Sequence, residues 1–411
     1  MSPARSTFWL LSLAMGASTI GQSMMGTSVP LFAVALGLAP LWVGVLVALP
    51  NVLPVVLAMR AGTWIDAGGA GRWLLTGAVG MATAPLLLAL VPAVPTLAAT
   101  QLVLGVFQLF KALASQSYVA DLSAGGSLER NYATYATLLS AGRLVGPVVA
   151  GLAIDGVGFR GAFALATGVL LVTAAMTWAL RRGVGTGGGQ HMAGANVASQ
   201  VVGGGSRLGV GPPEPYGARQ ALANVGVQMA VLSSAGVFVA ISVRQAFLPV
   251  VLQELGYPAT TIGGLISLGA LAAVLVRPAM PWVSRTLGGP ARTLVVAMAA
   301  VAVAVGWLGM ASSVVAFALL GVVAGFGTGV GLPLSIVTVA SHVEARHRGA
   351  ALGLRLSLNR AAQLAMPVLI GGVIGWLGFA VGFGAAGVML ALLAAAAATR
   401  VAAFEREVPR G

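Results

Sequence analysis

The chain has 411 residues, 58% hydrophobic and only 8% charged, with a formal net charge of +13 and a mean hydropathy of +0.97. A soluble domain carries about 25% charged residues, so this composition excludes a water-soluble fold and describes an integral membrane protein. Cysteine is absent, which excludes disulfides, thiolate catalysis and cysteine-ligated metal.

A bilayer-crossing helix needs roughly 20 apolar residues. After Arg5 the chain runs apolar from about Phe8 to Leu36. That is far longer than the ~7–15-residue core of a signal peptide, so it reads as an uncleaved first span. Further runs of span length fall near 41–60, 73–92, 96–118, 133–153 and 160–181, giving a six-helix N-terminal bundle over 1–182. Residues 183–220 are Gly-rich and polar (Gly187-Gly-Gly-Gln-His-Met, then Gly203-Gly-Gly-Ser) and read as a flexible cytoplasmic linker. Runs near 222–250, 259–278, 292–311, 314–340, 349–375 and 379–400 give a C-terminal six-helix bundle over 221–400, with a cytoplasmic tail at 401–411. The expected fold is an all-α membrane protein of twelve transmembrane helices in two pseudo-symmetric bundles.

The halves echo one another. Val29-Pro-Leu-Phe-Ala-Val-Ala-Leu-Gly37 returns 219 residues later as Leu248-Pro-Val-Val-Leu-Gln-Glu-Leu-Gly256, and Gly44 returns as Gly263. A membrane chain built from two similar halves is most simply a solute carrier, because two bundles can rock about a central site. Sixteen loop and tail arginines fall on the side of the N-terminus and only Arg160 on the other. By the positive-inside rule both termini are cytoplasmic. The basic charge is thus topological, helped by anionic lipid headgroups, and calls for no nucleic acid. One Lys against 21 Arg, in an Ala-, Gly- and Val-rich chain, points to a GC-rich bacterial source and its cytoplasmic (inner) membrane.

Three local patterns stand out. The loop after the second span reads Gly62-Thr-Trp-Ile-Asp66-Ala-Gly-Gly69-Ala-Gly-Arg72, and the one after the eighth reads Met280-Pro-Trp282-Val-Ser-Arg285-Thr-Leu-Gly288. The fifth span carries Gly142-Arg-Leu-Val-Gly146-Pro147-Val-Val-Ala-Gly151. With twelve spans and a long middle linker, these resemble the major facilitator superfamily. The first loop is similar to its cytoplasmic gate motif, Gly-x-x-x-Asp-Arg-x-Gly-Arg. The fifth span is similar to its antiporter motif, Gly-x-x-x-Gly-Pro-x-x-Gly-Gly. The resemblance implies a monomeric secondary transporter, a cytoplasmic gate at Gly62, Asp66, Arg72 and Arg285, and an exporter-type helix at Gly142, Gly146, Pro147 and Gly151. The chain departs from the pattern at Ala67, where the gate motif has Arg, at Ala150, where the antiporter motif has Gly, and at Gln101, where many proton-coupled members have a membrane Arg. Read physically, Asp66 in a tight Gly-flanked turn can pair with Arg or cap a helix N-terminus. Gly146-Pro147 bends its helix, and Gly142 and Gly151 let neighbouring backbones approach.

Five cations fall inside predicted spans: Lys111, Arg143, Arg244, Arg355 and Arg360. Each costs roughly 2.5–3.5 kcal/mol to place mid-helix in lipid, so they are expected to face a watery cavity or a partner. All nine acids lie in loops, in tails or near span ends, which leaves the cavity net positive and makes an anion its simplest ligand. In the fourth span Gln101, Gln108, Lys111 and Ser115 share a helical face. Ser140-Ala-Gly-Arg143 in the fifth span matches Ser357-Leu-Asn359-Arg360 in the eleventh, followed by Gln363, so Arg143 and Arg360 form a pseudo-symmetric pair near the bilayer middle. Two guanidinium forks suit a carboxylate, sulfonate or phosphate. Gln22, with Ser18 one turn earlier, joins the cavity set. Arg244 is placed at the outer rim, Arg355 at a depth from which it can snorkel to the cytoplasmic surface, and His342 and His347 in solvent beside a cytoplasmic loop.

The expected function is secondary transport of a small organic solute by alternating access, with export of an anionic or amphiphilic compound favoured. A multidrug exporter for cationic or neutral lipophiles and an organic-acid uptake carrier are the alternatives. Coupling is open among anion exchange, facilitated diffusion and protonation of Asp66, Asp121 or Glu254, with a proton or counter-ion as partner. A membrane transferase would need a His–Asp pair, paired carboxylates or a metal cluster at the surface, and none is legible. No P-loop pattern occurs; no metal, cofactor or enzymatic activity is expected.

Overall fold

The computed structural model describes residues 3–122, 128–185, 218–344 and 347–407, and among them no strand occurs. The predicted linker lies, for residues 186–217, outside the described residues. The first half holds α1 (Pro3–Ala35), α2 (Pro40–Ala48), α3 (Val52–Gly68), α4 (Ala70–Leu90), α5 (Val94–Leu122) and α6 (Leu128–Gly185). The second holds α7 (Ala218–Ala223), α8 (Val225–Glu254), α9 (Ala259–Leu275), α10 (Met280–Thr286), α11 (Pro290–Trp307), α12 (Val314–His342), α13 (Arg348–Ala398) and α14 (Val401–Glu407). Short 3₁₀ turns at Leu49–Asn51 and Leu308–Met310 follow α2 and α11.

Two of these helices are double spans. α6 is broken at Gly158 (φ 73°) and α13 at Gly378 (φ 83°), each into two arms long enough to cross a bilayer. α9 and α10 together make one bent span, with a 74° break between them. With α2 and α3 as one span and α1 added, the described helices supply the twelve expected crossings. The outward side chains are those a bilayer covers: Trp376 is 92% exposed and Val56 73%.

The sequence echo is a repeat of backbone turns. Gly37 (φ 77°) pairs with Gly256 (φ 79°), Gly69 (φ 80°) with Gly288 (φ 80°), and Gly158 with Gly378, each 219 or 220 residues apart. Positive φ is cheap only for glycine, so these positions end a helix at matching points in both halves.

One expectation is corrected at the gate loop. α3 runs on through Gly68, so Asp66 sits in a helix and the tight turn falls at Gly69, whose N–H donates to the Ile65 carbonyl at 2.9 Å. The turn falls there because φ there is positive, whereas nothing in 62–68 interrupts the helical ladder. The side chain of Asp66 and the surroundings of Gly62 lie outside the described residues.

The chain gathers into two compact units. The first comprises Met1–Leu38, Val45–Ala198 and Leu252–Ser267; the second comprises Ala39–Gly44, Ser199–Val251 and Leu268–Gly411. Each unit is therefore one half of the chain plus a short piece from the other half. In the first, a Cβ at Gly263 would overlap the Pro147 carbonyl; in the second, a Cβ at Gly44 would overlap the Pro367 carbonyl. Glycine there lets two backbones touch, which is the contact small residues make in membrane bundles. The first unit's core gathers Leu11, Met15, Leu74, Phe110 and Tyr135, with Trp73 stacked on Phe110 at 4.6 Å and donating from Nε1 to the Trp64 carbonyl at 2.7 Å. The second unit's cores include Met229, Leu294, Met298, Leu334 and Phe404, and, separately, Val227 and Val339.

Candidate functional site

In the first unit the polar face of α5 is turned inward. Lys111 is only 5% exposed, and its Nζ donates to Ser18 Oγ on α1 at 2.9 Å. One turn on, Ser115 Oγ shares a 2.8 Å hydrogen bond with Tyr135 Oη on α6. Arg143, exposed on the first arm of α6, is close enough to Lys111 for the two positive charges to repel. Gln108 lies one turn before Lys111 and Gln22 one turn after Ser18, both half-buried. Gln101, at the start of the same face, is buried with its Nε2 unpaired. Burying an ammonium costs several kcal/mol unless it finds polar partners, which is the physical reason Ser18, Ser115 and Tyr135 collect here.

The antiporter-like motif is packing surface. Gly142 and Gly146 lie against α1 at Gly16, Thr19, Ile20 and Ser23, and Gly151 lies against the Ala259 backbone. Beside Pro147, which has no N–H of its own, Ser267 Oγ donates to the Leu144 carbonyl at 2.6 Å. The turn around Gly158 carries two charges with defined partners. Asp155 accepts from the N–H groups of Ala259 (3.0 Å) and Thr260 (2.7 Å) at the start of α9. Arg160 donates to the Ala89 and Leu90 carbonyls, both at 3.0 Å, at the end of α4. An acid at a helix N-terminus and a base at a C-terminus both complement the macrodipole. Burial works to raise the Asp155 carboxyl, but the Thr260 and Ala259 hydrogen bonds outweigh it and hold the group below the usual carboxylate range.

In the second unit the polar residues converge from three helices. Arg355 on α13 is 4% exposed and donates from Nη2 to Ser335 Oγ on α12 at 2.7 Å. Asn359, one turn further and 2% exposed, accepts at Oδ1 from Ser234 Oγ on α8 at 3.0 Å. Gln363 Nε2 donates to the Asn359 carbonyl at 3.3 Å. Arg360 is exposed beside them, as Arg143 is in the first unit. Arg244 on α8 is half-buried, with its guanidinium against Gly269 and its Nε unpaired.

Two placements differ from expectation. Arg355 does not snorkel: Ser335 holds it inside, because α12 presents a hydroxyl within reach before the side chain can extend to the surface. His342 is not solvated; its ring packs on Phe404 at 4.2 Å and its Nδ1 lies 3.0 Å from the Thr338 carbonyl. His191 and the side chain of Asp121 lie outside the described residues, while Arg72 and Arg285 are exposed at the starts or ends of their helices. The buried serines Ser18, Ser234 and Ser335 were not legible as partners, since serine is common in any membrane helix. The signal available was their occurrence on faces opposite a span cation.

The sequence profile of the Major Facilitator Superfamily matches residues 11–304 and 230–411. The chain belongs to that superfamily, and with its twelve-helix architecture this makes it a secondary transporter. No curated protein sequence matches it. Among solved structures it is similar to a bacterial homolog of the human lysosomal transporter Spinster, in an inward-facing and occupied conformation (TM-score 0.75, 13% identity, 99% of this chain and 98% of that one). It is also similar to the peptide transporter POT in complex with sulfate (TM-score 0.75, 15% identity, 98% and 95%). A POT family transporter in complex with a thioalcohol-conjugated peptide matches with TM-score 0.75 and 13% identity over 97% and 96%. At these identities the likeness is one of fold.

Proposed function

We propose that this transporter moves a small anionic or amphiphilic organic solute by alternating access, in the export direction, across a bacterial cytoplasmic membrane. Both termini are cytoplasmic in this reading, the working unit is the monomer, and the bundles divide within 183–220. The carrying observation is the sign of the buried charges. Among the described residues, the buried ionisable side chains include Lys111 and Arg355 but no Asp or Glu. A site whose fixed charges are cationic favours a ligand that brings the opposite charge. The candidate solute-contacting side chains are, each set within its own unit, Lys111, Arg143, Gln22 and Gln108 in the first and Asn359, Arg360 and Gln363 in the second. Arg244 serves as rim, and Gly62, Asp66, Arg72 and Arg285 serve as cytoplasmic gate. The POT structure solved with sulfate supports an anion in this fold.

The test is thermal stabilisation of purified protein by a compound panel split by charge, with Arg143→Gln and Arg360→Gln alongside. Stabilisation by organic anions, lost in both variants, is the expected result. Stabilisation by cations or neutral lipophiles, unchanged in the variants, overturns the anionic reading in favour of a lipophile exporter. Counterflow in proteoliposomes, loaded from either side, then reads the direction.

A further inference from the structure

We infer that the second unit holds a small inorganic anion, of halide size, in the buried cluster of Arg355, Asn359 and Ser233. The inference stands on the hydrogen-bond inventory of this cluster and does not depend on the transported solute being anionic.

Three donors there have no partner: Arg355 Nε, Asn359 Nδ2 and Ser233 Oγ. All three residues are nearly or fully inaccessible, at 4%, 2% and 0% exposed. The side-chain oxygens of Ser335 and Asn359 each already accept one bond. Ser335 Oγ takes the Arg355 Nη2 bond, and Asn359 Oδ1 takes the Ser234 bond. What is left over is donor capacity around a guanidinium that cannot lose its charge.

The donors come from two helices, α13 and α8, beside a third, α12. Arg355 and Asn359 are one turn apart on α13, a spacing that puts side chains about 5–6 Å apart. Ser233 Oγ on α8 lies 3.6 Å from the place a Cβ on Gly331 would take, and Gly331 is one turn before Ser335 on α12. Turning the Asn359 amide over would satisfy Nδ2 at Ser234, but it would leave Arg355 Nε and Ser233 unchanged.

A buried guanidinium with one serine for company is costly, because an uncompensated charge in low dielectric is far worse than a paired one. No buried carboxylate stands among the described residues to neutralise it. An anion resolves the deficit by accepting from all three donors at once. The near-complete burial selects its size: a monovalent ion can be enclosed by three side chains, whereas an organic solute would need an opening.

The experiment follows thermal unfolding of the purified full-length protein at fixed ionic strength, with chloride or bromide replacing gluconate. A saturable rise of about 2–5 °C is expected over a hundredfold range above the dissociation constant. Arg355→Met and Asn359→Leu are expected to abolish the halide response, while the surface variant Arg292→Gln keeps it. Bromide should also give an anomalous-scattering peak inside the cluster. An arm with acetate and benzoate separates the sources of the anion. If only carboxylates stabilise through Arg355, the site serves the solute and the inorganic-ion inference is overturned. It is equally overturned if the wild type ignores halides, or if Asn359→Leu and Ser233→Ala respond as the wild type does. These two variants keep the test informative should Arg355→Met fail to fold.

Discussion

Lys111 in the first unit and Arg355 in the second solve the same problem with different chemistry. Each is a cation about 5% exposed, and each donates to a single serine on a neighbouring helix, at 2.9 and 2.7 Å. The lysine is a compact ammonium on a flexible stem, so its donors rotate toward whatever acceptors surround it. The arginine is a rigid fork of five donors, so satisfying one leaves the others pointing where the helix puts them. The lesson is that equal burial does not mean equal satisfaction: the planar group is the one left with an orphaned Nε.

Removing the serines breaks this comparison most sharply. Ser335→Ala is expected to cost about 2–3 kcal/mol by stranding the Arg355 charge, and Arg355→Met on that background is expected to recover most of it. Ser18→Ala is expected to cost less, since the Lys111 amine can re-aim. Chemical denaturation in detergent of these three variants and the wild type would measure both, and equal losses would show that fork rigidity is not what matters.

Next in size are the crossing glycines. Gly44→Ala and Gly263→Ala each force a methyl into a proline carbonyl, for about 1–3 kcal/mol. Because the contacts are repeat-related, the two melting temperatures should fall by similar amounts; a wide disparity would mean one half tolerates a backbone shift that the other does not.

Smaller effects are expected at the helix ends. Asp155→Ala should cost about 0.5–1 kcal/mol, at the low end for caps because the residue is exposed. With its carboxyl held below the ordinary range, the Asp155 contribution is present above the usual carboxylate pKa. It fades as pH falls through the lowered value, so the wild-type and Asp155→Asn stabilities should converge in acid. The smallest effect belongs to the exposed pair of Arg292 and Glu405, 3.0 Å apart: Arg292→Gln should change stability by under about 1 kcal/mol, and less in high salt.

Much of the fold was legible because membrane insertion writes itself into composition. Twelve apolar runs and a Gly-rich break follow from burying backbone in lipid, and the Gly37/Gly256 echo marks a true repeat position, with Pro30 and Pro249 each inside its helix. The polar face of α5 was legible too, since Gln101, Lys111 and Ser115 recur at helical spacing and are buried. The depth of Arg355 was not, because a side chain long enough to snorkel chooses between solvent and a neighbour that only packing supplies. Nor were the roles of Asp155 and Arg160: as loop charges they had no sequence-local partner, and each caps a helix that arrives from elsewhere in the chain.

By itself, then, the sequence determined a two-part membrane transporter with cations inside its spans, because lipid penalises polar groups by type and periodicity alone. Only the tertiary structure decided which serine meets which cation, which helix ends the charges of the Gly158 turn complete, and which donors stay unpaired. Hydrogen bonds act over about 3 Å between helices that are far apart in the chain, and that distance is set by packing.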